Sequence, residues 1–174
     1  MSLSATHSIT PEQFLLQLWE QNHGAIGRTL VATEADPSAR DDLKQDIFMA
    51  LYQSATRLQA AENPRAYLFR IMHNVTVDHI ARAQRHKWQP LDENIQQQML
   101  DECPSLQVDE QLQNQQLMRA VQQLSLANQQ VILLALEDLD APEIADILQI
   151  SHGAVRVRLN RAKTELMELM QNDK

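Results

Sequence analysis

Apolar residues recur three and four positions apart along most of this 174-residue chain, and no segment shows the alternation of a half-buried strand. Phe14, Leu15, Leu18 and Trp19 form one such stripe. Leu43, Ile47, Ala50 and Leu51 form a second, with Phe48 and Tyr52 beside it, and Leu68, Ile71, Met72, Val75 and Ile80 form a third. The pattern returns at Leu112, Leu117, Val121 and Leu124, then at Val131, Ile132, Leu134, Ala135 and Leu136. Spacings of three and four place such residues on one face of a helix with 3.6 residues per turn. Three glycines and 4% aromatic residues suit that reading better than a turn-rich β fold. The expected class is all-α.

Local signals divide the helical stretches. Thr10 before Pro11 is a natural N-cap with proline at the first helical position, and it opens a helical segment over 10–33. Residues 32–42 read as a polar break around Pro37, with a second helix starting at Asp41. Residues 54–65 read as a loop, because a residue before proline, here Asn63 before Pro64, is turned away from helical conformation. A long helix is expected from Arg65 to Arg85. Residues 87–110 lose the periodicity and carry Pro90, Pro104, many glutamines and many carboxylates. They predict a flexible acidic linker, with a short amphipathic turn over 95–100. The chain thus divides into two small helical domains, 1–86 and 111–174, joined by 87–110.

Charge is distributed unevenly. The formal net charge of -8 argues against a protein that coats nucleic acid non-specifically. Residues 61–90, however, hold five Lys and Arg against two Asp and Glu, and residues 150–174 hold five against three. Between them, residues 91–149 hold one Arg against eleven carboxylates. Two basic islands across an acidic stretch predict two surfaces that meet polyanions.

The second island lies in a helix-turn-helix pattern. Asp140 is an N-cap with Glu143 in the capping-box position and Pro142 in the first turn. Ile144, Ala145 and Leu148 give a short helix, Ile150 plugs a turn, and Ser151 caps the next helix. Val155, Leu159, Ala162 and Leu166 form its buried stripe. Gly153, Val157 and Asn160 then lie opposite, flanked by Arg156 and Arg161, with Ser151 and His152 at the tip. The N-terminal end of such a helix reaches into a major groove, where arginine bonds guanine and neighbouring cations hold phosphates. Arg158 and Lys163 lie nearer the stripe and suit phosphate contact.

Other chemistry finds little support. No Gly-rich phosphate loop, His-Glu-x-x-His motif or cysteine cluster occurs, so no catalytic residue, metal site or cofactor is expected. The six histidines are scattered, and Cys103 reads as an exposed bystander thiol. No apolar run approaches the roughly 18 residues of a membrane span. The first residues lack the basic and apolar regions of a signal peptide. The expectation is a cytoplasmic protein with no membrane insertion.

The segment "LSLANQQVILLALEDLDAPEIADILQISHGAVRVRLNRAK" resembles region 4 of sigma-70-type RNA polymerase sigma factors, above all the extracytoplasmic-function group. Val131, Glu143-Ile144-Ala145, Ile150-Ser151 and the run Gly153 to Ala162 carry the likeness. "DDLKQDIFMALYQ" and "NPRAYLFRIMHNVTVDHIARAQR" resemble region 2 segments of the same family, in family order and spacing, and the latter is similar to the iron-starvation subgroup. The resemblance implies a factor that binds core RNA polymerase through its β′ and β subunits and directs it to promoters. It implies that Asp42, Gln45, Asp46 and Phe48 dock on the β′ coiled coil. It places Arg57, Asn63, Pro64 and Arg65 near the single-stranded −10 element, with Asn74, Asp78, Arg82 and Arg85 along the following helix. The −35 duplex falls to Ser151, His152, Gly153, Arg156, Val157, Arg158, Asn160, Arg161 and Lys163. Val157 and Asn160 depart from the usual residues, which predicts an altered −35 preference. An anti-sigma partner is also implied. An operator-binding homodimer with a helix-turn-helix is the competing reading, and an adaptor that only binds partners is a third; neither needs the region 2 segments.

Overall fold

The computed structural model describes residues 9–86 and 108–172, and among them every regular element is a helix. The N-terminal unit comprises α1 (Pro11–Gln21), α2 (His23–Thr33), α3 (Pro37–Gln53), α4 (Ala55–Ala60) and α5 (Pro64–His86). The C-terminal unit comprises α6 (Val108–Gln123), α7 (Leu126–Ala135), α8 (Ala141–Leu148) and α9 (His152–Asn172).

Three helices start with the same device, a capping side chain followed directly by proline. Thr10 forms a capping box with Gln13 ahead of Pro11. Asp36 Oδ2 accepts the Ala39 amide at 2.8 Å ahead of Pro37, and Asn63 Oδ1 accepts the Ala66 amide at 3.0 Å ahead of Pro64. Proline at the first helical position gives up an N–H that has no intrahelical acceptor anyway. The same rule that marks Asn63 as non-helical therefore marks a helix start.

Some expected boundaries move. Residues 10–33 form two helices, broken at Asn22, whose buried amide donates back to the Leu18 carbonyl at 2.8 Å. Helix α3 begins at Pro37 rather than Asp41, because Asp36 caps it. The loop expected over 54–65 contains α4, where Ala55 and Leu58 are buried; two apolar side chains suffice to hold one helical turn against the core despite weak local periodicity. Helix α6 starts at Val108, inside the stretch assigned to the linker. The remainder of that stretch, with the turn at 95–100 and Cys103, lies outside the described residues.

The two units pack on each other. Helix α5 lies against α8, and α2 against α6 and α7. Leu68, Phe69 and Met72 of α5 belong to the same apolar cluster as Val131, Leu139, Ile144 and Leu148. Backbone carbonyls that end α2 are also captured: Gln129 Nε2 donates to Ala32 O at 2.9 Å, and Gln122 Nε2 to Val31 O at 2.8 Å.

His73 sits at this junction, on a small cavity of about 30 Å³ lined also by Phe69, Met72, Thr76, Gln130 and Leu133. No other charged side chain lines the cavity, and burial lowers the His73 pKa from its ordinary value of 6.5. The sign follows directly. The folded chain resists a proton that the unfolded chain takes up near 6.5, so this part of the stability is complete above that pH and is lost as pH falls through it. We expect the Tm of the wild type to fall more between pH 7.5 and 5.5 than that of His73→Gln. Equal slopes in thermal melts of the two proteins would refute a buried neutral His73.

Candidate nucleic-acid and polymerase interfaces

The geometry around α8 and α9 follows from local bonds. The Asp140–Glu143 capping box closes at 2.9 and 3.0 Å. Helix α8 ends at Gln149 in left-handed conformation (φ 54°), a strained choice for a residue other than glycine. The reversal is held by the Ile150 amide donating to Ala145 O at 3.1 Å. Ser151 Oγ accepts the Ala154 amide at 3.1 Å and starts α9. Val155, Ala162 and Leu166 are buried and Leu159 half-buried, so the expected stripe fixes the helix azimuth, mainly against α7.

What the stripe leaves outward agrees with the pattern. Ser151, His152, Gly153, Arg156, Val157, Asn160, Arg161 and Lys163 are exposed, and Arg158 is half-buried. Val157 is 50% exposed. Arg156, Arg158, Arg161 and Lys163 form no ion pair with the described residues. A Cβ added to Gly153 would meet only Ser151 Oγ, at 3.9 Å. The fold itself therefore does not require glycine there.

A second set lies on α4 and α5. Asn74, Asp78, Arg82 and Arg85 follow one another at spacings of four and three and are all exposed, as is Arg57 on α4. They make one polar track along α5. Asn63 and Arg65, around the start of α5, are engaged differently. Asn63 Nδ2 donates to Glu143 Oε1 at 3.2 Å. Arg65 Nε donates to Asn22 Oδ1 at 3.1 Å, its Nη2 to the Glu137 carbonyl at 2.9 Å, and its guanidinium lies 5.2 Å from the centre of the Phe69 ring. Pro64 is half-buried at the first position of α5.

The third set is on α3. Asp42, Gln45 and Asp46 are exposed on one face. Phe48 is not on that face: it turns inward, half-buried, with its ring edge-to-face on Trp19 at 5.1 Å. The face instead continues through Met49 (52% exposed) and Tyr52 (50%), both of which sequence reasoning left out. Extending the spacing from Asp42 and Gln45 by three and four would have found them. Asp46 also reaches Arg82 at 3.5 Å, an exposed pair joining the α3 face to the α5 track.

Two family models match the chain, in order. "Sigma-70 region 2" covers residues 18–86 and "Sigma-70, region 4" covers residues 114–166. The chain belongs to the sigma-70 family. Residues 87–113 alone lie between the two matched regions. The chain's role is promoter recognition in transcription initiation, and the two regions are those that bind core RNA polymerase and promoter DNA in this family. Region 2 is carried by α1–α5 and region 4 by α6–α9.

Two solved structures share the fold. One is CnrH in complex with the cytosolic domain of CnrY, at 22% identity, TM-score 0.62, covering 94% of this chain and 91% of that one. The other is the sigma factor RpoE in complex with the anti-sigma factor NepR from Bartonella quintana, at 21% identity, TM-score 0.74, covering 94% and 98%. No curated protein matches the chain by sequence. No described helix is long and apolar enough to cross a membrane, and no group of metal-ligating side chains occurs among the described residues.

Proposed function

We propose that this sigma factor divides promoter reading between its two units at named residues. Helix α9 enters the −35 major groove with Ser151, His152, Gly153, Arg156, Val157 and Asn160 towards bases, and with Arg158, Arg161 and Lys163 towards phosphates. Arginine at Arg156 suits guanine O6 and N7, Asn160 suits adenine, and Val157 suits a thymine methyl. Region 2 holds the opened −10 strand with Arg57, Asn63, Pro64 and Arg65, and guides it along Asn74, Asp78, Arg82 and Arg85. The face of Asp42, Gln45, Asp46, Met49 and Tyr52 docks on the β′ subunit, while Phe48 braces α3 from behind. Domain boundaries follow as 1–86, 87–110 and 111–174.

The observation that carries this reading is the exposed cationic end of α9, which forms no ion pair with the described residues, set in the same chain as a region 2 with its own polar track. An operator-binding homodimer would have no use for the second surface. The factor does no bond chemistry and acts in the cytoplasm, delivered to DNA by the polymerase, which suits its net charge of -8. An anti-sigma partner is part of the proposal, as both solved relatives were captured with such a chain or a cytosolic domain bound.

The test is run-off transcription with purified core polymerase and a genomic promoter pool. Initiation from a discrete subset of templates is expected. A chain that never supports initiation, while binding duplex DNA as a dimer, would replace this reading with the operator-binding one.

A further inference from the structure

Gly153 lies in the first turn of α9, directly after His152, and is exposed. Its backbone is right-handed helix with no positive φ. A methyl group there would meet only Ser151 Oγ, at an ordinary contact distance of 3.9 Å. Neither the backbone nor the packing therefore calls for a missing side chain. Glycine is among the weakest helix formers and alanine the strongest, so the chain forgoes stability at this position.

At about 100° per residue, Gly153, Val157, Asn160 and Thr164 fall in one row along α9, at spacings of four, three and four. All four are exposed and none is long. Thr164 is folded back on the helix, its hydroxyl donating to the Asn160 carbonyl at 3.0 Å, so the row stays low. Arg156 and Lys163 stand on one side of it and Arg161 on the other, all exposed and in no ion pair with the described residues. The outward face is thus a furrow of short side chains between long cations. It is lowest at Gly153, where the helix backbone itself forms the surface. A major groove has the matching relief, a floor of base edges between two rims of phosphate.

We infer that Gly153 sets the depth at which α9 sits in the −35 groove, an inference that rests on the reading of α9 as the −35 helix. The bare backbone of the first turn comes into van der Waals contact with a base-pair edge, and any side chain at 153 holds the helix off. Depth decides whether Arg156 and Asn160 reach the bases. Donor–acceptor distances in such bonds span only about 2.7–3.2 Å, and a methyl group on the contact surface exceeds that margin. One added carbon thereby weakens contacts that it does not itself make. Stability is given up for binding at a single position.

The experiment uses the full chain as wild type, Gly153→Ala, Gly153→Leu and Gly27→Ala, each also assembled with purified core polymerase. Gly27 of α2 has nothing within 4 Å of an added Cβ and lies in region 2, so it reports the stability gain alone. The probe is a labelled duplex from the template that gives most run-off product with the wild type. Thermal melts of the free chains are expected to rise by about 2 °C for both alanine variants. Gly153→Ala is expected to bind the duplex about ten-fold more weakly, and Gly153→Leu about 100-fold, with Gly27→Ala unchanged. The slope of log affinity against log salt should stay the same, because no charge is altered. A Gly153→Ala that binds as tightly as the wild type, or that loses Tm along with binding, overturns the inference. Arg156→Ala in parallel tests the underlying reading. If it and Gly153→Ala both bind as the wild type does, α9 is not the −35 helix. If Arg156→Ala alone weakens binding, α9 keeps its role and Gly153 loses its own.

Discussion

Phe69→Ala is expected to cost about 3–5 kcal/mol of folding stability, the usual range for deleting a fully buried aromatic ring. Phe69 is 1% exposed and lies in the apolar cluster that α5 shares with α7 and α8. Its loss would enlarge the existing cavity beside Met72 and His73 and remove the ring under the Arg65 guanidinium. The seam cannot easily collapse, because Leu68 and Ile144 on either side are themselves buried and anchored in their own helices. Urea unfolding should show a lower midpoint at nearly unchanged slope. A loss below about 1 kcal/mol would mean that the two units do not share a core in solution.

Arg156→Ala is expected to weaken recognition of the −35 duplex by about 1–3 kcal/mol, roughly five- to 150-fold, while core polymerase binding stays unchanged. The position is exposed and makes no ion pair with described residues. Alanine is a better helix former than arginine, so α9 itself should not suffer. Holoenzyme binding to a −35 duplex, measured beside assembly with core, separates the two effects. If both fall together, α9 serves the polymerase and not the DNA. If neither falls, Arg156 is a solvated surface charge.

The contrast between these two residues shows what periodicity can reveal. The α9 stripe announced its own reverse side, since three buried positions and a half-buried one on a long helix fix every other direction. Arg156 was therefore legible without coordinates. Phe69 was passed over: it adjoins Leu68 on the same broad stripe, and the sequence does not say how widely that stripe is covered. It is buried because α5 is covered from two sides, by its own unit and by α8. Phe48 failed for a related reason: family likeness placed it at the docking face, but Trp19 offers its ring a partner on the inside. Glu137 was invisible altogether. In the run Glu137-Asp138-Leu139-Asp140 it reads as one more solvated acid, and only contacts 109 and 72 residues distant in sequence distinguish it. The short helix α4 was hidden by polar composition, inside a stretch that the Asn63-Pro64 pair made read as a loop.

The stripe of α9 also governs how this factor can change over generations. Arg156, Val157 and Asn160 touch solvent while Val155, Ala162 and Leu166 hold the helix in place. Exchanges at the outer positions can retune the promoter set at little cost to folding. A single inserted residue between Val155 and Ala162 would turn one part of the buried stripe by about 100° relative to the other, so that anchor and reading surface could not both keep their places. Lineages descended from such a chain should therefore diversify their targets through replacement in α9 and almost never through gain or loss of length there.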